Sequence, residues 1–125
     1  MNTKSLLIVT ALFEAGTGIA LLVAPSVVVE LLLGAGLSSP QSLVVGRITG
    51  AALISIGVAC WLARKGQRSD AQSGLVTGML IYNVAVPVLL IYAAIASGMH
   101  GIALFPVSIL HVMLAIWCLA CLRSR

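Results

Sequence analysis

Four strongly polar residues stand inside long apolar segments, one in each segment. They are Glu14, Arg47, Asn83 and His111. An ionisable or amide side chain facing lipid is costly, so such groups turn toward the helix bundle and find partners there. Counted along ideal helices, Glu14, Asn83 and His111 lie roughly 13 to 17 Å from the predicted cytoplasmic edge and Arg47 about 24 Å. The spacing predicts an intramembrane polar cluster that holds a ligand or contains an ion pair.

Glu14 and Arg47 are the only formal charges inside the predicted spans, and two arrangements are open to them. Their backbones differ in depth by roughly 9 Å, a gap that two extended side chains largely close. A direct or water-bridged ion pair would be structural. If Arg47 extends toward the outer surface instead, Glu14 is an unpaired carboxyl that could exchange protons.

Asn83 and His111 have no charged partner of their own. Pro87 cannot donate to the carbonyl of Asn83, so a kink is predicted there, beside the amide. Hydrogen bonding between helices is the favoured role of Asn83. His111 shares a helix face with Ser108 and is the only histidine in the spans, which favours structural hydrogen bonding over a metal or haem ligand.

Three cysteines form a second candidate group at similar depth. Cys118-x-x-Cys121 closes the last apolar segment, and Cys60 lies near the end of the second. Such thiols could form a redox pair or half of a metal site. The favoured interpretation is packing, because cysteine is a small buried residue and the cytoplasm is reducing. We therefore expect no metal and no cofactor, with quinone or haem as the minor alternative.

The elements that carry these residues follow from composition. Of 125 residues, 61% are hydrophobic and 8% charged, and the mean hydropathy is +1.17. A soluble domain needs far more charge, so the chain is predicted to be one all-α integral membrane domain, residues 1–125. A short interfacial helix is expected at Ser26–Leu37. The four spans are predicted at Ser5–Pro25, Leu43–Ala63, Gly74–Ala96 and Ile102–Leu122.

Helix ends and flanking charges support this arrangement. Ser39-Pro40 and the Ser69-to-Gln72 capping box predict the starts of the second and third spans. Basic residues cluster at both termini and in the second-to-third connection, so both ends are expected in the cytoplasm, with a bilayer and no nucleic acid as partner. These basic residues are Lys4, Arg64, Lys65, Arg68, Arg123 and Arg125.

Two Gly-x-x-x-Gly patterns allow close approach of helix backbones. They are Gly46/Gly50 and Gly74/Gly78. Packing within the chain is favoured for both. A homo-oligomer or a larger membrane complex is the alternative.

Several runs resemble small four-helix bacterial inner-membrane proteins similar to the DoxX-like group. The resemblance covers nearly the whole chain and implies a four-helix fold in the plasma membrane. DoxX-like proteins include a quinone-linked oxidoreductase subunit, and Glu14 also matches the glutamate in the first helix of small multidrug resistance transporters. The runs are Glu14-Ala-Gly-Thr-Gly with Pro25 and Leu32-Leu-Gly34, Gly46-Arg47-Ile-Thr-Gly50 through Gly57 to Trp61-Leu-Ala-Arg64, Tyr82-Asn83, and Pro106 through His111 to Trp117-Cys118.

The sequence lacks phosphate-binding glycine loops, paired carboxylates and the usual hydrolase motifs, which argues against an enzyme. The leading hypothesis is a membrane protein whose polar cluster binds or conducts a small solute or lipophilic molecule. The alternatives are a quinone- or thiol-linked redox subunit, a proton-coupled small exporter, and an accessory or assembly subunit.

Overall fold

The computed structural model describes residues 2–66 and 69–124, and these form five helices joined by short connections. Arg68 and Arg125, two of the basic residues expected to set topology, lie outside the described residues. The predicted all-α architecture, with four long helices and one short helix after the first, is confirmed. The helices are α1 (Thr3–Val23), α2 (Pro25–Leu33), α3 (Pro40–Ala63), α4 (Asp70–Ser97) and α5 (Leu104–Arg123).

Four of these helices are long and apolar enough to cross a membrane. They contain 21, 24, 28 and 20 residues. At about 1.5 Å per residue each covers a hydrocarbon core of roughly 30 Å. The chain is therefore a multi-pass membrane protein.

Serine caps explain why α3 and α4 begin before the predicted spans. Ser39 Oγ accepts from the amide of Ser42 at 3.1 Å, and Ser69 Oγ accepts from the amide of Gln72 at 3.2 Å. Both predicted caps are confirmed. The capping box is only half formed, because the Gln72 amide group donates to the carbonyl of Ala63 at 2.9 Å and so ties the end of α3 to the start of α4.

The short helix α2 follows α1 after the single residue Ala24 and begins with Pro25. It ends at Gly34, whose left-handed backbone favours glycine. Its last carbonyls accept hydrogen bonds from the connection before α5. The Leu32 carbonyl accepts from the Gly101 amide at 3.2 Å, and the Leu31 carbonyl accepts from the Ala103 amide at 2.8 Å. Backbone bonds therefore fasten α2 across one end of the bundle.

The long helices form two closely packed antiparallel pairs, α1 with α3 and α4 with α5. In the first pair a Cβ added at Gly50 would lie 2.6 Å from the carbonyl oxygen of Gly18. A Cβ added at Gly46 would lie 2.9 Å from Pro25 Cβ at the start of α2. Packing within the chain is thus confirmed for Gly46 and Gly50. For Gly74 and Gly78 it is wrong, because a Cβ at either would meet nothing within 4 Å.

The two ends of the bundle are built differently. We call the half that contains the chain termini and the α3–α4 connection the terminal half, and the opposite half the α2 half. The terminal half contains a continuous core from all four long helices. Its buried members are Leu6, Leu7, Ala11, Cys60, Val76, Met79, Leu114, Cys118 and Cys121.

Candidate functional site

Three of the four predicted polar residues lie at the boundary between the two halves. Glu14 comes from α1, Asn83 from α4 and His111 from α5. Glu14 is 3% exposed and Asn83 is fully buried. The arrangement joins the two helix pairs through polar contacts at their middle.

Asn83 fixes the orientation of His111. The Asn83 Nδ2 group donates to the carbonyl of Met79 at 2.7 Å, and its Oδ1 lies 2.8 Å from His111 Nδ1. An amide oxygen can only accept, so Nδ1 of His111 must carry the proton. In the neutral ring Nε2 is then an acceptor, and the described residues form no hydrogen bond to it.

Tyr82 connects this pair to Glu14. Its hydroxyl lies close to the Glu14 carboxyl, and its ring meets the His111 ring edge to face, with centroids 5.5 Å apart and planes at 81°. One continuous set of contacts therefore runs from Glu14 through Tyr82 and His111 to Asn83. We call these four residues the polar cluster.

Sequence reasoning did not select Tyr82 as a site residue. A signal was present, because tyrosine in a membrane protein prefers the interface with water. Tyr82 instead lies mid-span, beside an asparagine. A tyrosine at that depth needs a polar partner for its hydroxyl.

Arg47 lies away from the polar cluster. Its side chain is exposed on α3, and it makes no ion pair with Glu14, although both residues are among those described. Gly18 packs on Gly50 and Gly57 on Ala11. That register sets Arg47 level with the end of α1, about eight residues or roughly 12 Å from Glu14. Of the two arrangements considered, the structure contains the one without the ion pair.

A cavity of about 400 Å³ opens next to the polar cluster and extends through the α2 half. Glu14, Tyr82 and His111 lie at its inner end, and Val28, Leu31 and Leu32 of α2 cover its other end. Pockets of about 300 to 1,000 Å³ are typical of small-molecule sites. The remaining wall is mostly apolar and comprises Phe13, Thr17, Ala20, Leu21, Thr49, Leu53, Val86, Leu90, Ala103, Val107, Leu110 and Leu114.

A second, wider groove of about 620 Å³ lies on the outside of the α4–α5 pair, beside Pro87. The helix α4 continues through this proline without interruption. The groove is lined almost wholly by aliphatic residues such as Val84, Val88 and Ile116. Its polar lining residues are Tyr92 and Asn83, and the Asn83 amide is already engaged with Met79 and His111.

The three cysteines are free thiols in the terminal half. Cys60 and Cys118 are 0% exposed and Cys121 is 5% exposed. None of the three lines the cavity. Within residues 2–66 and 69–124 no group of three or more histidine, cysteine or acidic side chains is placed to hold a metal ion. The thiols of this core fill space between helices.

The chain was compared with protein-family models, curated proteins and solved structures. No family model, curated protein or solved structure matches the chain. The resemblance to DoxX-like proteins stays a prediction.

Proposed function

We propose that this protein binds a small lipophilic molecule in the cavity between its two helix pairs, with the polar end of that molecule on Glu14 and His111. The observation that supports this is the position of the polar cluster at the inner end of an otherwise apolar chamber. A site of that composition combines orientation at one end with burial of an apolar body along the rest.

The volume of the cavity fits a ligand of this kind. About 400 Å³ lies within the range of roughly 300 to 1,000 Å³ that is typical of small-molecule sites, and most of the wall is apolar. A molecule with an apolar body can therefore be buried along it.

Filling the cavity from within the protein tests the proposal. Val86 lines the cavity from α4, so Val86→Trp should occupy part of its volume. Val58 on α3 is 50% exposed and lines neither the cavity nor the groove, so Val58→Trp is the matched control. Both variants add one indole to the same membrane protein.

The probe is a fluorine-labelled phenylbutanol added to the purified full chain in lipid nanodiscs and followed by fluorine NMR. We expect a protein-bound resonance with the unmodified chain and with Val58→Trp, and its loss with Val86→Trp. Empty nanodiscs report partition into lipid alone. A bound resonance that survives in Val86→Trp would refute the proposed site.

We also propose that the membrane is the bacterial plasma membrane and that both termini are cytoplasmic. Four described basic residues lie at or beyond the helix ends of the terminal half, as the positive-inside rule requires: Lys4, Arg64, Lys65 and Arg123. The cavity and α2 then belong to the outer half of the bilayer. A fluorescent-protein fusion at the C-terminus should be bright and an alkaline phosphatase fusion inactive. The reverse pattern would mean that the C-terminus lies outside the cytoplasm.

A further inference from the structure

We infer that Arg47 of α3 binds the phosphate group of a membrane phospholipid at the lipid-facing surface of the bundle. This site is separate from the proposed ligand site, because Arg47 lines neither the cavity nor the groove beside Pro87. The inference depends on the depth of Arg47 in the membrane, on the absence of a partner among the described residues and on the chemistry of the guanidinium group.

Arg47 lies deeper in its helix than the other described basic residues. Lys4 is the second residue of α1, Arg123 is the last residue of α5, and Arg64 follows the last residue of α3. Arg47 instead lies seven residues after the start of α3, about 10 Å along the helix. A helix of 24 residues extends beyond a hydrocarbon core of roughly 30 Å by only a few residues, so the Arg47 backbone lies inside that core. A guanidinium group stays charged there and needs an anionic or polar partner.

The part of the chain that the structure describes gives Arg47 no partner. It makes no hydrogen bond or ion pair with residues 2–66 or 69–124. The three acidic residues of the chain lie elsewhere. Glu14 is buried roughly 12 Å away along the helices, and Asp70 begins α4 in the terminal half. The Glu30 carboxylate lies beside Gly36 in the connection before α3. An anion that binds Arg47 must therefore come from outside the chain.

Arg64, at the other end of the same helix, provides an internal comparison. Its guanidinium group donates to the carbonyl of Trp61 and lies over the Trp61 ring, 3.5 Å from the ring centroid. Arg64 is half-buried by these contacts, whereas Arg47 is exposed. The two arginines of α3 thus differ in whether the protein itself supplies their partners.

The direction of α3 favours a contact between Arg47 and the lipid headgroups. Cα–Cβ bonds in a helix tilt toward its N-terminus, and the N-terminus of α3 is the end nearer to Arg47. An extended arginine side chain covers most of the distance of about 10 Å to that end.

A phospholipid supplies both kinds of group that this surface lacks. Its phosphate has the geometry to accept two parallel hydrogen bonds from the planar guanidinium group. Its acyl chains extend from the phosphate into the hydrocarbon core, where Val44 and Ile48, next to Arg47 on α3, are exposed apolar side chains. A free phosphate ion would leave these side chains uncovered.

Lipid retention in native mass spectrometry tests the inference. The purified full chain in detergent micelles is titrated with phosphatidylglycerol or with diacylglycerol that carries the same acyl chains. We expect one phosphatidylglycerol molecule to bind at least tenfold more tightly than diacylglycerol, because only the former has a phosphate. Inorganic phosphate is added as a competitor and should not displace the lipid.

Three variants locate the bound lipid. Arg47→Met should weaken phosphatidylglycerol binding about tenfold, through the loss of charge-assisted hydrogen bonds. It should fold, because it places an apolar side chain on an exposed surface of a membrane helix. Arg47→Lys keeps the charge without the planar fork and should recover part of the binding. Arg64→Met is the matched control and should retain the lipid, since the guanidinium group that it removes already has partners in the protein.

Several outcomes would overturn the inference. They are equal binding of phosphatidylglycerol and diacylglycerol, unchanged binding in Arg47→Met, and an equal loss in Arg64→Met. Absence of any recovery in Arg47→Lys would contradict a site based on charge. Displacement by inorganic phosphate would assign the site to a free ion instead of a lipid. The proposed function is tested separately, because phenylbutanol binding in the cavity should be the same in Arg47→Met as in the unmodified chain.

Discussion

The terminal half and the α2 half of the bundle use the same four helices for different purposes. In the terminal half, leucine and cysteine side chains meet in a closed core, with Leu6, Leu7 and Cys118 at 1% exposure or less. In the α2 half the helices line a cavity of about 400 Å³. The difference indicates that packing in one half holds together a fold whose other half remains hollow.

The cause of the difference lies in side-chain size. The glycines at 18 and 50 bring the backbones of α1 and α3 into contact, so this pair forms one compact wall. Where that wall faces α4 and α5 in the α2 half, several of its side chains are short, among them Thr17, Ala20 and Thr49. Helix α2 covers the resulting space instead of filling it.

The largest effect is expected where the wall is tightest. Gly50→Leu places a side chain against the Gly18 backbone at a Cβ distance of 2.6 Å, and neither backbone can yield without separating α1 from α3. We expect a loss of about 3 kcal/mol in the free energy of unfolding. Gly78→Leu, whose Cβ meets nothing within 4 Å, should change it by less than about 0.5 kcal/mol.

Reversible unfolding in mixed micelles by a denaturing detergent measures this difference. Cross-linking of the same variants in mild detergent measures their oligomeric state. If Gly78→Leu proved as destabilising as Gly50→Leu, the second Gly-x-x-x-Gly face would be an interface, contrary to its open position in the fold.

Truncating leucines in the two halves should sharpen the comparison. Leu7 is 1% exposed in the terminal core, so Leu7→Ala should cost about 2 to 3 kcal/mol through lost packing contacts. Leu90 lines the existing cavity, so Leu90→Ala should cost less than about 1 kcal/mol, because fewer neighbours lose contact. The free energies of unfolding of the two variants provide the test. If Leu90→Ala cost as much as Leu7→Ala, the cavity would be closed by packing in the membrane.

The smallest effect concerns the hydrogen bond between Asn83 and His111. A double-mutant cycle with Asn83→Ala and His111→Ala should give a coupling of about 0.6 kcal/mol, the average for polar contacts between membrane helices. Its measurement requires the two single variants and the double variant under identical unfolding conditions. A coupling indistinguishable from zero would mean that the 2.8 Å contact does not fix the His111 ring.

Local signals in the sequence predicted the elements well. Hydropathy located four spans, and Ser39 and Ser69 located two helix starts, because both depend on neighbouring residues alone. Depth counting placed Glu14, Asn83 and His111 at one level, and the structure shows two of these in direct contact.

Features that depend on the register between helices could not be predicted in the same way. The expected reach of Arg47 toward Glu14 counted a depth difference of roughly 9 Å along separate helices, whereas the glycine contacts between α1 and α3 set the two residues about eight helical positions, roughly 12 Å, apart. The approach of Tyr82 to Glu14 joins different helix pairs. The cavity likewise arises from the spacing of the two pairs, which no single helix encodes.

The most direct test of the account locates a bound probe inside the protein. Fluorine-labelled phenylbutanol, with the fluorine on its ring, is added to carbon-13-labelled protein in bilayers, and solid-state NMR detects which side chains lie near the fluorine. The account predicts contacts with Leu31 and Leu90, which line the α2 end of the cavity. Contacts confined to lipid, or to Val84 and Ile116 of the outer groove, would contradict it.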